Sequence, residues 1–153
     1  MVAYFLDSSA LVKRYATETG TAWMTGLIEP SAGNLIYIAR ITGVETVAAI
    51  ARKRKGNLLS PADASTALAT LRTELAGLFL IVEVTTVLLA TALDLADKHA
   101  LRGYDAVQLA ATLSANSERL QQNLPPLVLV TADTDLLVAG AAEGLATDDP
   151  NTH

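Results

Sequence analysis

Four short apolar runs, at residues 2–6, 34–39, 80–84 and 127–130, most constrain what this chain can fold into. They are rich in β-branched, aromatic and leucine side chains and show no polar alternation, the pattern of strands covered on both faces. Helical periodicity fills the intervals: residues 8–16, 20–28, 41–55, 61–79, 87–100 and 104–117 read as helices between these runs, and 134–142 as a short helix after the last. Parallel neighbours need crossover connections, and helices supply them. The chain therefore reads as an α/β fold with a mainly parallel central sheet.

Punctuation supports the division. Ser8 or Ser9 can cap the first helix, Gly56 closes the third, Pro61 opens the fourth, and Thr85 or Thr86 can cap the fifth. Residues 75–93 are apolar over a length that could span a bilayer, with Glu83 as the only charge. Leu68, Leu71, Leu75 and Leu78 fall at helical spacing, however, and the β-prone run 80–84 follows, so helix, strand and helix in succession imitate a span. The N-terminal apolar run is too short for a secretory signal and Asp7 interrupts it, which makes a cytoplasmic location the expectation. At 153 residues, with 51% hydrophobic side chains and no cysteine, one domain can bury a sufficient core without disulfides or a structural zinc. Residues 1–146 form that domain and 147–153 a polar tail expected to fray.

Two acids directly follow buried strands, Asp7 after the first and Asp133 after the fourth. Ligands of open parallel sheets collect outside the carboxyl ends of the strands, so both carboxylates face one edge. Two more border apolar helix stripes. Glu45 lies beside the stripe of Ile41, Val44, Val47, Ala48 and Ala51, and Asp105 beside that of Ala106, Leu109, Ala110 and Leu113. Each acid alone has an ordinary explanation, Asp105 as partner of a helix dipole and Glu45 as a surface acid. Four converging carboxylates repel one another and need protons or a cation. Oxygen ligands without cysteine, and with only His99 and His153 in the chain, select hard Mg²⁺ or Mn²⁺ over zinc. Such an ion activates water and neutralises charge on phosphate oxygens, the equipment of phosphodiester hydrolysis.

Four segments, in order, carry a family resemblance: residues 7–15 (DSSALVKRY), Glu45 within its helix, residues 102–110 (RGYDAVQLA) and residues 130–136 (VTADTDL). The chain resembles the PIN-domain ribonucleases, and more narrowly the VapC-type toxins of bacterial toxin-antitoxin pairs. The resemblance implies a three-layer α/β/α domain in which Asp7, Glu45, Asp105 and Asp133 bind one or two Mg²⁺ or Mn²⁺ ions. It implies metal-dependent endonucleolytic cleavage of RNA leaving a 3′-hydroxyl and a 5′-phosphate, a homodimer, and inhibition by a cognate antitoxin whose tail enters the groove. Ser9 and Thr131 look like groups that orient the carboxylates, with Asp135 as a further nearby ligand candidate.

The formal charge of −5 argues against a nucleic-acid substrate only until it is divided. Residues 1–55 carry seven basic and four acidic side chains, whereas the remainder carries four basic and twelve acidic. The run Arg52, Lys53, Arg54 and Lys55 closes the helix that bears Glu45, and Lys13 and Arg14 follow Asp7. Basic residues also suit a helix C-terminus, but next to a proposed phosphodiesterase site they read as RNA-backbone contacts. Tyr104 and Trp23 are aromatic candidates for base stacking. The alternative function is a binding module without turnover, its acidic cluster holding a partner's arginine or lysine, or its surface sequestering RNA.

Overall fold

The computed structural model describes residues 1–153. The elements follow as β1 (Ala3–Leu6), α1 (Ser8–Tyr15), α2 (Thr21–Ile28), β2 (Leu35–Ala39), α3 (Arg40–Lys55), α4 (Pro61–Gly77), β3 (Leu80–Val82), α5 (Thr86–His99), α6 (Gly103–Gln121), β4 (Val128–Val130), α7 (Thr134–Ala142) and β5 (Ala146–Asp148). The strands form one sheet in the order β3-β2-β1-β4-β5, and every neighbouring pair is parallel. No helix is long and apolar enough to cross a membrane.

The period of two within each strand divides the core. Ala3, Phe5, Ala39, Leu127 and Leu129 pack with α5, α6 and α7, while Leu6, Ile36, Ile38 and Val130 pack with α1 to α4. The result is a three-layer α/β/α domain. Because both sheet faces are covered, neither set of alternate residues can be polar, which is why the strands read as continuous apolar runs.

Three local features differ from the sequence expectation. Asp7, not Ser8 or Ser9, caps α1, its side chain accepting from Ala10 N–H. The sequence separates the fifth and sixth helices at Gly103, but the chain turn after α5 uses Ala100 in the left-handed region at φ 51°, and Gly103 begins α6. The C-terminal segment is not a frayed tail: residues 146–148 form β5 beside β4, and Pro150 is buried. Its polar side chains have partners on the body of the protein. Asn151 Oδ1 accepts from Lys13 Nζ at 2.8 Å, and the His153 ring stacks on Trp23 with centroids 4.0 Å apart. Gly20, at φ 86°, lets this strap pass, since a Cβ there would lie 2.1 Å from the Pro150 carbonyl oxygen.

Candidate active site

β1 and β4 are neighbours, and their carboxyl ends deliver Asp7 and Asp133 to the same edge. Asp7 is buried. Its Oδ1 accepts from Ala10 N–H at 3.0 Å and Ser9 Oγ at 2.7 Å, while Oδ2 accepts from Thr131 Oγ1 at 2.6 Å. Ser9 and Thr131 thus orient the carboxylate. They also fix the β4–α7 loop, because Ala132 N–H donates to Ser9 Oγ at 2.9 Å and Asp133 N–H to Thr131 Oγ1 at 3.0 Å. Asp133 caps α7 by accepting from Leu136 N–H.

Burial pushes the Asp7 carboxyl up to about 6, against the pull of three donors, and the Asp105 charge adds to the rise. Asp105, half-buried in the first turn of α6, is raised by desolvation and then by Asp133, with Arg102 opposing. Glu45 is raised by desolvation, opposed by hydrogen bonds from Gln108 and Ser8, and raised further by Asp105. Asp105 is therefore the shared neighbour through which the carboxylates feel one another.

No three of the acids stand close enough together to form a ready metal cage. Arg102 lies instead between two of them, its Nη2 2.9 Å from Asp133 Oδ2 and its Nε 3.3 Å from Asp105 Oδ2. A cation between carboxylates is thus what this edge accepts, and oxygen donors without sulfur or histidine suit a hard one. Asp135 is exposed in the first turn of α7 and acts on Asp105 only through its charge.

Several residues that hold the site escaped the sequence analysis. Gln108 is buried and donates from Nε2 to Glu45 Oε1 at 2.7 Å and to Thr42 Oγ1 at 3.0 Å. It lies one turn below Asp105 and Thr42 one turn before Glu45, so the two polar side chains clamp the two acid-bearing helices together. A lone amide among the apolar residues 106–111, one turn after Asp105, was the available signal. Ser8 completes the hold on Glu45, its Oγ donating to Oε2 at 3.3 Å. Arg102 is the other omission, and its signal was its place three residues before Asp105.

The basic candidates separate. Lys13 is 3% exposed, and its Nζ is used by Glu18 Oε2, the Thr19 carbonyl and Asn151 Oδ1. Arg14 is bound to Glu74 through Nε and Nη2 and also pairs with Glu29. Both are corrected from RNA contacts to internal ion pairs: amphipathic spacing alone could not reveal the acids folded against them. Lys53 pairs with Glu18, whereas Arg52, Arg54 and Lys55 are exposed.

A family model for the PIN domain matches residues 4–141. The chain belongs to the PIN-domain family. Three solved structures share the PIN fold across nearly the whole chain. PAE2754 from Pyrobaculum aerophilum superposes with a TM-score of 0.68 at 23% identity, covering 99% of this chain and 91% of its own. VapBC2 from Rickettsia felis, in a structure bound to a DNA fragment from its promoter, gives 0.62 at 12% identity, with 97% and 98% covered. FitAcB from Neisseria gonorrhoeae gives 0.58 at 19% identity, with 96% and 97% covered. No individual curated protein sequence matches the chain. Within this PIN domain the four acids occupy the ends of β1 and β4 and the helices α3 and α6.

Proposed function

We propose that this PIN domain is a Mg²⁺- or Mn²⁺-dependent endoribonuclease acting as the toxin of a toxin-antitoxin pair. The observation that carries the reading is Asp7, a buried carboxylate raised to about 6 and electrostatically coupled to Asp105, in a family of nuclease type. A buried acid and half-buried acids gathered at the open edge of a parallel sheet are a cost to folding that a bound cation offsets. No three acids form a ready cage, so Asp7, Asp105 and Asp133 are the residues that would have to draw together to hold it, with Glu45 as a further ligand or as the base that orients water. When bound, the cation supplies Lewis-acid polarisation of water and phosphate oxygens.

The chain's own groups then have distinct tasks. Ser9 and Thr131 keep the Asp7 oxygens turned to the edge, and Gln108 and Ser8 hold Glu45 in place. Arg102 neutralises Asp105 and Asp133, and were a cation to take their place its guanidinium would be free at the rim for a substrate phosphate. Exposed Arg52, Arg54 and Lys55 supply backbone contacts. The likeness to the toxin-antitoxin complexes VapBC2 and FitAcB supports an antitoxin partner for this chain, and the homodimer and the cytoplasmic location are further parts of the proposal. Purified protein should cleave RNA with Mg²⁺ or Mn²⁺, stop with EDTA, and lose activity on Asp105→Asn. Full metal-dependent cleavage by that variant would overturn the assignment.

One observation favours a second reading. The edge already accepts a guanidinium between Asp105 and Asp133, which suits a module that grips a partner's arginine without turnover. Growth arrest on expression that survives Asp7→Ala would favour that module, and arrest that disappears would favour the enzyme.

A further inference from the structure

The segment after α7 is fastened to two elements that meet at Asp7. At one end β5 continues the ladder beside β4: the Thr131 N–H, just past the last paired residue of β4, donates to the Asp148 carbonyl at 3.1 Å. Thr131 is also the residue whose hydroxyl donates to Asp7 Oδ2, so it is held from both sides. At the other end a 3₁₀ turn over Pro150–Thr152 brings Asn151 Oδ1 within 2.8 Å of Lys13 Nζ. Asp7 caps one end of α1, and Lys13 lies in its last turn, roughly 9 Å further along the axis. The lysine ammonium has three protons to donate, and Glu18, the Thr19 carbonyl and Asn151 accept them. Between the two fastenings Pro150 is buried against Gly20, where no side chain could stand.

We propose that residues 146–152 are a brace for the acidic edge, with Asp148 and Asn151 as positioning residues. The Asp148 carbonyl acts through Thr131 on Asp7, and Asn151 acts through Lys13 on α1. The inference rests on the nuclease reading and names what holds its proposed ligands in place. Apolar packing of Ala10, Leu11 and Val12 keeps α1 on the sheet, but such packing has no preferred direction. A helix bonded at one end can pivot about that end, and Asp7 and Ser9 would turn with it. Bonds at both ends remove this freedom. Small turns matter here because no three of the acids already form a cage, so the direction of Asp7 decides whether it can share a cation with Asp105 and Asp133. The composition of β5 suits a brace better than a core element: its three residues, Ala146, Thr147 and Asp148, bury no large apolar side chain. The same bonds reach α3, since Glu18, which shares Lys13 with Asn151, also pairs with Lys53.

The test compares Asn151→Ala with Asn151→Asp in the full chain. Asn151 is exposed, so neither change should prevent folding. The alanine removes the acceptor. The aspartate keeps an oxygen in the same place, and its charge is matched because two lysines, Lys13 and Lys53, share the one acid Glu18 there. In EDTA, exchange of the Thr131 amide followed by NMR should quicken several-fold in Asn151→Ala and stay near wild type in Asn151→Asp. Mn²⁺ affinity by calorimetry, well below Tm, should fall about ten-fold in the first variant and be restored in the second. A purely structural role would lower Tm and leave both readouts unmoved, because lost global stability does not alter the affinity of molecules that remain folded. Gly20→Ala, whose Cβ would push Pro150 aside, acts by the same route, so combining it with Asn151→Ala should bring little further loss of Mn²⁺ affinity. Wild-type Mn²⁺ affinity or wild-type Thr131 exchange in Asn151→Ala would overturn the brace, as would an aspartate variant no better than the alanine. Wild-type protein that bound no Mn²⁺ would count against the nuclease reading, and Thr131 exchange would then decide the brace on its own.

Discussion

The Thr131 hydroxyl donates to Asp7 Oδ2 at 2.6 Å while accepting Asp133 N–H at 3.0 Å, so one buried side chain ties together the acids that end β1 and begin α7. Thr131→Val keeps the shape and removes both bonds. Leaving the Asp133 N–H and one Asp7 oxygen short of partners should cost about 1–3 kcal/mol in urea unfolding. Loss of an orienting hydrogen bond should also weaken Mn²⁺ binding by about 10- to 100-fold in calorimetry. Unchanged metal affinity would mean that Thr131 serves the fold alone.

The raised Asp7 carboxyl makes stability depend on pH in a defined sense. Folded protein holds this proton up to about 6, well above the range of an unfolded carboxylate, so folding is favoured by protonation. Its favourable contribution is complete below about pH 4, falls between pH 4 and 6, and is gone above, a swing of about 3 kcal/mol. Asp7→Asn removes the buried charge. In EDTA the variant should be more stable than wild type at pH 8, with the difference closing towards pH 4. Added Mg²⁺ should stabilise wild type and leave the variant unmoved. A stability difference independent of pH would show that Asp7 ionisation is not the source.

Arg102 pairs with Asp105 and Asp133, so a divalent cation held by these acids, as proposed, would have to compete with it. Arg102→Ala should therefore tighten Mn²⁺ binding to free protein and lower the Mg²⁺ concentration for half-maximal activity, while weakening RNA affinity. Weaker metal binding in Arg102→Ala would assign Arg102 to shaping the site and not to competing for it.

Gln108 spans from α6 to Glu45 on α3. Gln108→Leu retains the volume but removes the donors, so Glu45 loses its principal partner and Thr42 loses its bond to the amide. The expected cost is about 1–3 kcal/mol for polar groups left unpaired. The half-saturating Mg²⁺ concentration should rise several-fold. Thr42→Val should reproduce part of the effect, because Thr42 holds the same amide in place.

The layers were legible because a sheet covered on both faces leaves a continuous apolar record, and helix ends carry capping residues. The four acids were legible through their places after β1 and β4 and beside helix stripes. What the sequence concealed depends on contacts distant along the chain. Strand β5 is three residues long and its middle and last residues are Thr147 and Asp148, so its pairing with β4 leaves no apolar run to read. The bond of Gln108 to Glu45 joins residues 63 apart, and the Arg14 bond to Glu74 joins residues 60 apart. No local period encodes either. Lys13 had the composition of an RNA contact and the burial of a core residue.

That last distinction can be measured directly. Lys13 lies 3% exposed with three acceptors around its ammonium, one of them Asn151 in the C-terminal strap. Removing the charge with Lys13→Met leaves those acceptors without their donor. The cost should be about 3 kcal/mol, the scale of breaking a buried ion pair. RNA affinity should keep the same dependence on salt, because no phosphate contact has been lost. Arg54→Ala with Lys55→Ala should behave in the opposite way. These side chains are exposed, so unfolding should move by no more than about 0.5 kcal/mol. The slope of log affinity against log salt should become shallower, by about one for each phosphate contact removed. A flatter slope in Lys13→Met at unchanged stability would return Lys13 to the RNA-binding surface.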